Sequence, residues 1–310
     1  MKKSFLNHSV LVLCMIFVQV QVSALNNPYL SKSFTLSGLG KIETRTSGSS
    51  VSIEGTEGNE VVVDVYVRRN GKSVDLNDSD VQKRLENYQI DIDKSGNTVS
   101  VSVSNKGNMN WSNGNNLNFS FDIKVPYQTS GDLNSSGGSI SISGIDGEQN
   151  IKSSGGSVKI SASSGNVIAN SSGGSLSISE FTGMLDLNTS GGSVKVSGTE
   201  GDLVVNSSGG SVNLENVSGK VYASTSGGGI KADLNTIEGA LTLKSSGGSI
   251  SASIPKDLPM DLDLKGGNVS TKLTNFEGEM KRDKIVGKSN GGGVLISMAS
   301  SGGSINLDYK

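Results

Sequence analysis

The chain has 310 residues, a formal net charge of −2 and 42 glycines, and only 18% of its residues are charged. This balance does not favour nucleic acid or an anionic membrane as a partner, because both select strongly basic surfaces. The single histidine, His8, and the single cysteine, Cys14, both lie close to the N-terminus.

The N-terminus has the layout of a secretory signal peptide. Lys2 and Lys3 precede an apolar run over residues 10–22, and Ser23 and Ala24 provide small residues for cleavage. We predict a signal peptide over residues 1–24 and export to the periplasm, the cell envelope or the extracellular space. Because the apolar run is short, we expect no membrane span after its removal.

Removal of the signal peptide also removes reactive side chains. His8 and Cys14 leave with it, so the exported chain has no imidazole or thiol for a Ser-His-Asp or Cys-His centre, a zinc site or a disulfide. We therefore predict no catalytic, cofactor-binding or metal-binding residues and no cofactor.

The N-terminal part, residues 25–130, carries an early copy of a repeat. The stretch TSGSSVSIEGTEG at residues 46–58 closely matches TSGGSVKVSGTEG at residues 189–201. One stretch, LNDSDVQKRLENYQI, predicts a helix with Val81, Leu85 and Tyr88 on one face and an N-cap within residues 77–79. We expect this helix to cap an open end of the fold.

The polar loop NKGNMNWSNGNNLN follows and contains the only tryptophan, Trp111. An aromatic side chain on such a loop could stack on a sugar or contact a partner, or it could fold back over the helix. Both interpretations stay open from the sequence.

The second part, residues 131–310, repeats at a fixed period. Glycine pairs recur at intervals of 18 residues, and a further glycine follows ten residues after the first in successive copies. A period of about 20 residues is typical of solenoids. The pairs begin at Gly137, Gly155, Gly173, Gly191, Gly209 and Gly227, with later pairs at Gly247 and Gly266.

Apolar residues alternate within each copy, as Val158 and Ile160 do after one glycine pair and Val167 and Ala169 after the next glycine. Alternation predicts two short strands per copy, each with one buried face. We predict an all-β, single-stranded parallel β-helix (β-solenoid) with coils of about 18 residues, stacked copy on copy as one continuous domain over residues 29–310.

The corners and ladders follow from stacking. We expect glycines at the corners, through positive φ and because neighbouring coils leave no room for a Cβ, and serines that bond the turn backbone. One repeat position predicts a partial asparagine ladder, which we favour over use of the glycosylation sequons there. Its members are Asn134, Asn170, Asn188 and Asn206.

The passage FDIKVPYQTSGDLNSSGGSISISG at residues 121–144, after a signal peptide and before glycine-rich coils, resembles the DUF4097 family of adhesin-like proteins. It is also similar to the related head GIN domain family of autotransporter adhesins. The resemblance covers roughly the whole exported chain and implies a right-handed β-helix on the exported side of the envelope.

We predict that the protein is not an enzyme, and we favour the first of three functions, with the other two as alternatives. The first is a non-enzymatic envelope protein that binds a glycan or protein at the cell surface through its faces. The second is a carbohydrate-active enzyme, for which Asp261 and Asp263 share a strand face. The third is a structural or regulatory periplasmic module, favoured because no anchoring segment follows the final strand. A polar and basic stripe supports the first: Ser141, Lys159, Ser177, Lys195, Asn213 and Lys231.

Overall fold

The computed structural model describes residues 27–106 and 116–310. The predicted signal peptide and Trp111 lie outside these residues. The N-terminal strands are β1 (Leu30–Thr35), β2 (Gly40–Thr46), β3 (Ser50–Thr56), β4 (Glu60–Arg69), β5 (Lys72–Ser73), β6 (Tyr88–Ser95), β7 (Thr98–Asn105) and β8 (Leu117–Pro126). The helix α1 spans Ser79–Leu85.

The repetitive part continues with sixteen strands. They are β9 (Thr129–Ser135), β10 (Ile140–Ser143), β11 (Asp146–Ser153), β12 (Val158–Ser171), β13 (Leu176–Thr189), β14 (Val194–Glu200), β15 (Leu203–Ser207), β16 (Val212–Thr225), β17 (Ile230–Ser245), β18 (Ile250–Ile254), β19 (Met260–Lys265), β20 (Val269–Thr271), β21 (Phe276–Met280), β22 (Lys284–Ser289), β23 (Val294–Ser300) and β24 (Ile305–Tyr309).

Each regular coil has two main sides. Residues 158–161 and their equivalents pair in parallel along the molecule and form a sheet that we call face A. Residues 167–171 and their equivalents form a second parallel sheet, face B. Neighbouring coils therefore lie about 4.8 Å apart, the ordinary strand spacing. The predicted all-β parallel β-helix is confirmed.

The alternating aliphatic residues fill the space between the faces. Val158 and Ile160 from face A and Val167 and Ala169 from face B are all buried, as are their equivalents in neighbouring coils. No coil could bury these side chains alone, so stacking supplies the stability that the short strands lack.

A third inward position lies in the bend between the two faces. Phe181, Thr199 and Val217 occupy it in successive coils, pair in register and are buried. The residue just before this position has positive φ in several coils, which turns the chain inward. These residues are Ala162, Glu180, Gly198 and Asn216. The side chains at this third position are of mixed character and do not continue the alternating pattern. The sequence therefore did not predict that the position is buried.

Glycine serves two different purposes at the corners. Gly165 has a φ of 109°, and its equivalents Gly183, Gly201, Gly219 and Gly239 also have positive φ, as expected, whereas Gly147 does not. The expectation of positive φ is wrong for the glycine pairs, because neither Gly155 nor Gly156 has it. A Cβ on Gly156 would lie 2.1 Å from the carbonyl oxygen of Gly138, so close coil stacking alone requires glycine there.

Buried hydroxyls satisfy the backbone of these corners. The hydroxyl of Ser153 donates to the carbonyl oxygen of Gly156 at 2.6 Å within one coil. The hydroxyl of Thr225 donates to the carbonyl oxygen of Gly210 at 2.7 Å, which belongs to the preceding coil. The expected bonding of the turn backbone by serine is confirmed, and it extends from coil to coil.

The coils do not stack in sequence order at the ends, so the expectation of copy on copy is wrong there. Near the N-terminus, β2 lies between β7 and β9, and β3 lies between β8 and β10. Near the C-terminus, β23 lies between β17 and β19, and β24 lies between β18 and β20. The first and last coils of the chain are therefore held inside the stack.

Antiparallel strands terminate the parallel stack. At the N-terminal end, β4 pairs antiparallel with β8 and β1, and β6 pairs antiparallel with β7. At the C-terminal end, β22 pairs antiparallel with β19 and β21. These strands cover the edges of the aliphatic core, which would otherwise be open to other chains.

The helix α1 lies beside β8 and buries Val81 and Leu85. Its N-cap is Asp78, whose carboxylate accepts from the backbone N–H of Asp80 at 2.8 Å, inside the predicted range. The placement of Tyr88 on the helix is wrong, because the helix ends at Leu85 and Tyr88 begins β6. The seven residues of α1 make about two turns, so the helix ends before the third turn that would carry Tyr88.

Candidate binding surface

The predicted stripe lies on the outer side of face A. Lys159, Lys195 and Lys231 alternate with smaller polar residues in one row of paired positions. The structure therefore brings all members of the stripe together. In coil order they are Ser141, Lys159, Ser177, Lys195, Asn213 and Lys231.

Part of this stripe is neutralised by its own neighbours. Lys195 lies 3.2 Å from the carboxylate of Glu215, and the amide of Asn213 donates to the same carboxylate at 2.7 Å. These two hydrogen bonds, that from Lys195 first, lower the pKa of Glu215. The exposed ion pair contributes little to stability, and it reduces the net positive charge of the row.

The outer side of face B has a different character. Its central row contains Ile168, Asp186, Val204 and Tyr222 in successive coils. Ile168 is 49% exposed and Val204 is 36% exposed, and Met184 beside them is 52% exposed. Met184 lies two residues before Asp186, beside the central row. We use the name apolar row for the group Ile168, Met184, Val204 and Tyr222.

An amide row runs parallel to the apolar row. Asn170, Asn188 and Asn206 are paired positions, and the amide of Asn206 donates to the side-chain oxygen of Asn188 at 3.1 Å. Asn188 in turn donates to the carboxylate of Asp186 at 2.9 Å. Lys152 separates Asn134 from Asn170, so the predicted ladder is partial, as expected.

A shallow groove of about 600 Å³ follows the amide row along the corner beside it. Its walls are amides and hydroxyls, with Lys152 as its one charged lining residue among those the structure describes. Besides Lys152 and the amide row, the groove is lined by Ser153, Ser154, Ser171, Ser172, Thr189, Ser190, Ser207, Ser208, Ser224 and Ser226.

The sequence analysis did not identify the apolar row. The signal was present, because Ile168 and Val204 interrupt the alternation of apolar and polar residues in their strands. The aliphatic residues on either side of them belong to the core, which masks the outward position of these two. Outward aliphatic residues in a solvated strand depart from the usual pattern.

The acidic residues do not form a catalytic cluster. Asp186 pairs with Val204, so Asp202 occupies a different row, as the sequence indicated. Asp261 and Asp263 do share the outer side of β19, but Asp263 forms an ion pair with Lys265 at 2.8 Å. Within residues 27–106 and 116–310, no three histidine, cysteine or acidic side chains are grouped as metal ligands.

A second concavity lies near the N-terminal end and measures about 830 Å³. Its floor includes Tyr88 and Phe119, whose ring centroids are 4.9 Å apart in an edge-to-face arrangement. The hydroxyl of Tyr88 donates to the carbonyl oxygen of Leu117 at 3.1 Å. Serines and asparagines, including Asn105, form much of the remaining lining.

In the part of the chain that the structure describes, no helix has the length and apolar character needed to cross a membrane.

Burial raises the pKa of Tyr88, although its hydrogen bond to the Leu117 carbonyl opposes the shift.

A family model described as Toastrack DUF4097 matches residues 40–308, which confirms the resemblance. A solved structure titled "putative cell adhesion protein", from Clostridium sporogenes ATCC 15579, is 11% identical, covers 91% of this chain and 99% of that chain, and has a TM-score of 0.20. A "putative adhesin" from Bacteroides fragilis NCTC 9343 is 14% identical, covers 90% and 96%, and has a TM-score of 0.42. No curated protein matches the chain.

Proposed function

This chain belongs to the Toastrack DUF4097 family, and we propose that it is an exported, non-enzymatic, adhesin-like protein of the cell envelope. In this proposal the outer sides of its two faces bind a glycan or a protein at the cell surface. The signal-peptide pattern of residues 1–24 supports export.

The observation that carries the proposal is the register of the outward rows. Face A sets Lys159, Lys195 and Lys231 in one straight row, and face B sets its apolar and amide rows beside one another. Such a surface offers the same contact repeatedly along its length. Repeated weak contacts on one rigid body give avidity for a repetitive partner.

Two experiments test the proposal. Fractionation of the producing cells, with antibody detection, should recover the protein outside the cytoplasm. The purified exported chain should then bind intact cells or extracted envelope polysaccharide in a sedimentation assay. Recovery in the cytoplasm alone, or the absence of binding to every surface tested, would contradict the proposal.

A carbohydrate-active enzyme is the second candidate, because Asp261 and Asp263 share the outer side of β19. Glycoside hydrolysis requires two carboxyl groups placed about the scissile bond. The ion pair between Asp263 and Lys265 favours a structural role for that carboxylate. Polysaccharide depolymerisation that disappears in Asp261→Asn would establish the enzyme and overturn our proposal.

A structural or regulatory periplasmic module is the third candidate. It predicts recovery only in the periplasmic fraction and no binding to surface polysaccharide. A change in envelope integrity on deletion of the gene, without any loss of adhesion, would favour it.

A further inference from the structure

We propose that the outer side of face B binds a linear, uncharged polysaccharide that lies along the solenoid axis. The inference rests on the proposed function and names the ligand class and the face. It is carried by three features that occur together on face B: the apolar row, the amide row and the groove beside them.

The apolar row is the first feature. Ile168, Met184 and Val204 are a third to a half exposed in adjacent coils. The ring of Tyr222 continues the row, with the ammonium of Lys244 5.8 Å from its centroid. A strand face that meets only water would carry polar residues in these positions. These exposed apolar side chains lie together on one sheet face, on either side of Asp186, and such a group indicates a contact surface.

The amide row supplies directional bonds next to that surface. Each asparagine of the amide row lies two residues after a member of the central row on the same strand, as Asn170 does after Ile168. Side chains two residues apart in a strand point to the same side, so both rows face outward. A pyranose ring has an apolar C–H face and a rim of hydroxyls. It can therefore lie over the apolar row while its hydroxyls bond the amides and the groove serines.

The repeat distance favours a polymer. Equivalent groups recur about every 4.8 Å along the axis, the spacing of neighbouring strands. A small molecule would use one set of these groups and leave the others solvated. A linear chain of identical sugar units uses all of them, and many weak contacts then add.

The charges on this face favour an uncharged chain. The carboxylate of Asp186 lies within the apolar row, and Asp202 is exposed in the next coil. Lys220, in the coil after Asp202, and Lys244 are exposed on the same face, so positive and negative groups are mixed and no patch of one sign selects a charged polymer. The carboxylates can still accept hydrogen bonds from sugar hydroxyls. Lys152, the one charged side chain that we find in the groove lining, lies at the edge of the surface.

The test uses three full-length variants of the exported chain. The face B variants are Ile168→Ser with Val204→Ser, and Asn170→Ala with Asn206→Ala. The matched control, placed on neither face, is Lys72→Ala with Lys83→Ala, which changes two exposed lysines of β5 and α1. Equal urea midpoints would show that all three variants keep the fold.

Binding is measured by affinity electrophoresis on soluble β-glucan and mannan as neutral probes, and on alginate and pectate as anionic probes. We expect binding to at least one neutral probe, weakened about tenfold in each face B variant and unchanged in the control. Binding of anionic probes alone, unchanged in both face B variants, would overturn this inference and leave the proposed function standing.

Three other outcomes of these experiments would also test the inference. Binding to cells without binding to any polysaccharide would assign the surface to a protein partner and overturn the inference. A dimer in sedimentation that the Ile168→Ser with Val204→Ser variant converts to a monomer would assign the apolar row to a second copy. Failure to bind cells and polysaccharides alike would reject the proposed function as well.

Discussion

Ala240 of β17 and Leu295 of β23 are paired neighbours in adjacent parallel strands, although the chain passes through β18 to β22 between them. Asp261 pairs with Leu295 on the other side of β23. In a solenoid that followed the order of its glycine pairs, Asp261 would instead lie beside Ala240. The last coil, which contains β23, thus lies between β17 and β19, where sequence order would place β19 directly beside β17.

Disulfide trapping tests this intercalation. Ala240→Cys with Leu295→Cys should form a disulfide, because neighbouring parallel strands place Cα atoms about 5 Å apart, within the range that a disulfide spans. Mass spectrometry of non-reduced peptides would detect the link, in a chain that also carries Cys14→Ser.

The matched control is Ala240→Cys with Asp261→Cys. These positions lie two coils apart, about 10 Å, which is beyond the reach of a disulfide. A link between positions 240 and 261, with none between 240 and 295, would contradict the observed order.

The two glycines of one corner should differ sharply in their tolerance of a methyl group. A Cβ on Gly156 would approach the carbonyl oxygen of Gly138 to 2.1 Å, and backbone cannot move aside cheaply. The nearest atom to a Cβ on Gly155 is 3.6 Å away, an ordinary contact. We expect Gly156→Ala to destabilise the protein by about 1–3 kcal/mol. Gly155→Ala should have a much smaller effect, and urea unfolding measures both.

The buried hydroxyls should contribute measurably to stability. Ser153→Ala removes the donor to the Gly156 carbonyl oxygen, and we expect a loss of about 1 kcal/mol in the free energy of unfolding. Ser154→Ala, at the exposed neighbouring position, serves as the control and should be neutral. Equal losses in both variants would show that the hydroxyl bond is not the cause.

Glu279 in the hairpin of β21 and β22 should stay ionised at a lower pH than an ordinary glutamate. Hydrogen bonds from Lys281 and then Lys284 lower its pKa from 4.5 to about 2. Because the folded pKa lies below the unfolded one, the stabilisation is fully present above pH 4.5 and is lost as the pH falls towards 2. Carbon NMR of the Glu279 carboxyl group during an acid titration measures this pKa directly.

Replacing both lysines gives the comparison for that titration. In Lys281→Gln with Lys284→Gln, the pKa of Glu279 should return towards 4.5, since both donors lose their charge. An unchanged midpoint in this variant would contradict the assigned cause. Added salt should also raise the midpoint of the native protein, because the pairs are accessible to ions.

Parts of the binding surface could be read from sequence and parts could not. The stripe on face A was predictable, because alternation fixes which residues of a strand point outward and the period fixes which coils align. The apolar row was overlooked because Ile168 and Val204 look like core residues when short runs of aliphatic residues are read alone. The alternation that places Val167 and Val205 inward places Ile168 and Val204 outward, and the exposure of these two residues agrees with it.

The amino-acid sequence by itself determined the coil. The spacing of glycines set its length, and alternating side chains set which side is buried, because both act through contacts between residues close in the chain or one period apart. The tertiary structure decided the order of the coils at the two ends, the third inward position and the antiparallel strands that close the stack. Near-identical coils fit beside one another almost equally well, so the choice among neighbours depends on how the end strands cover the core.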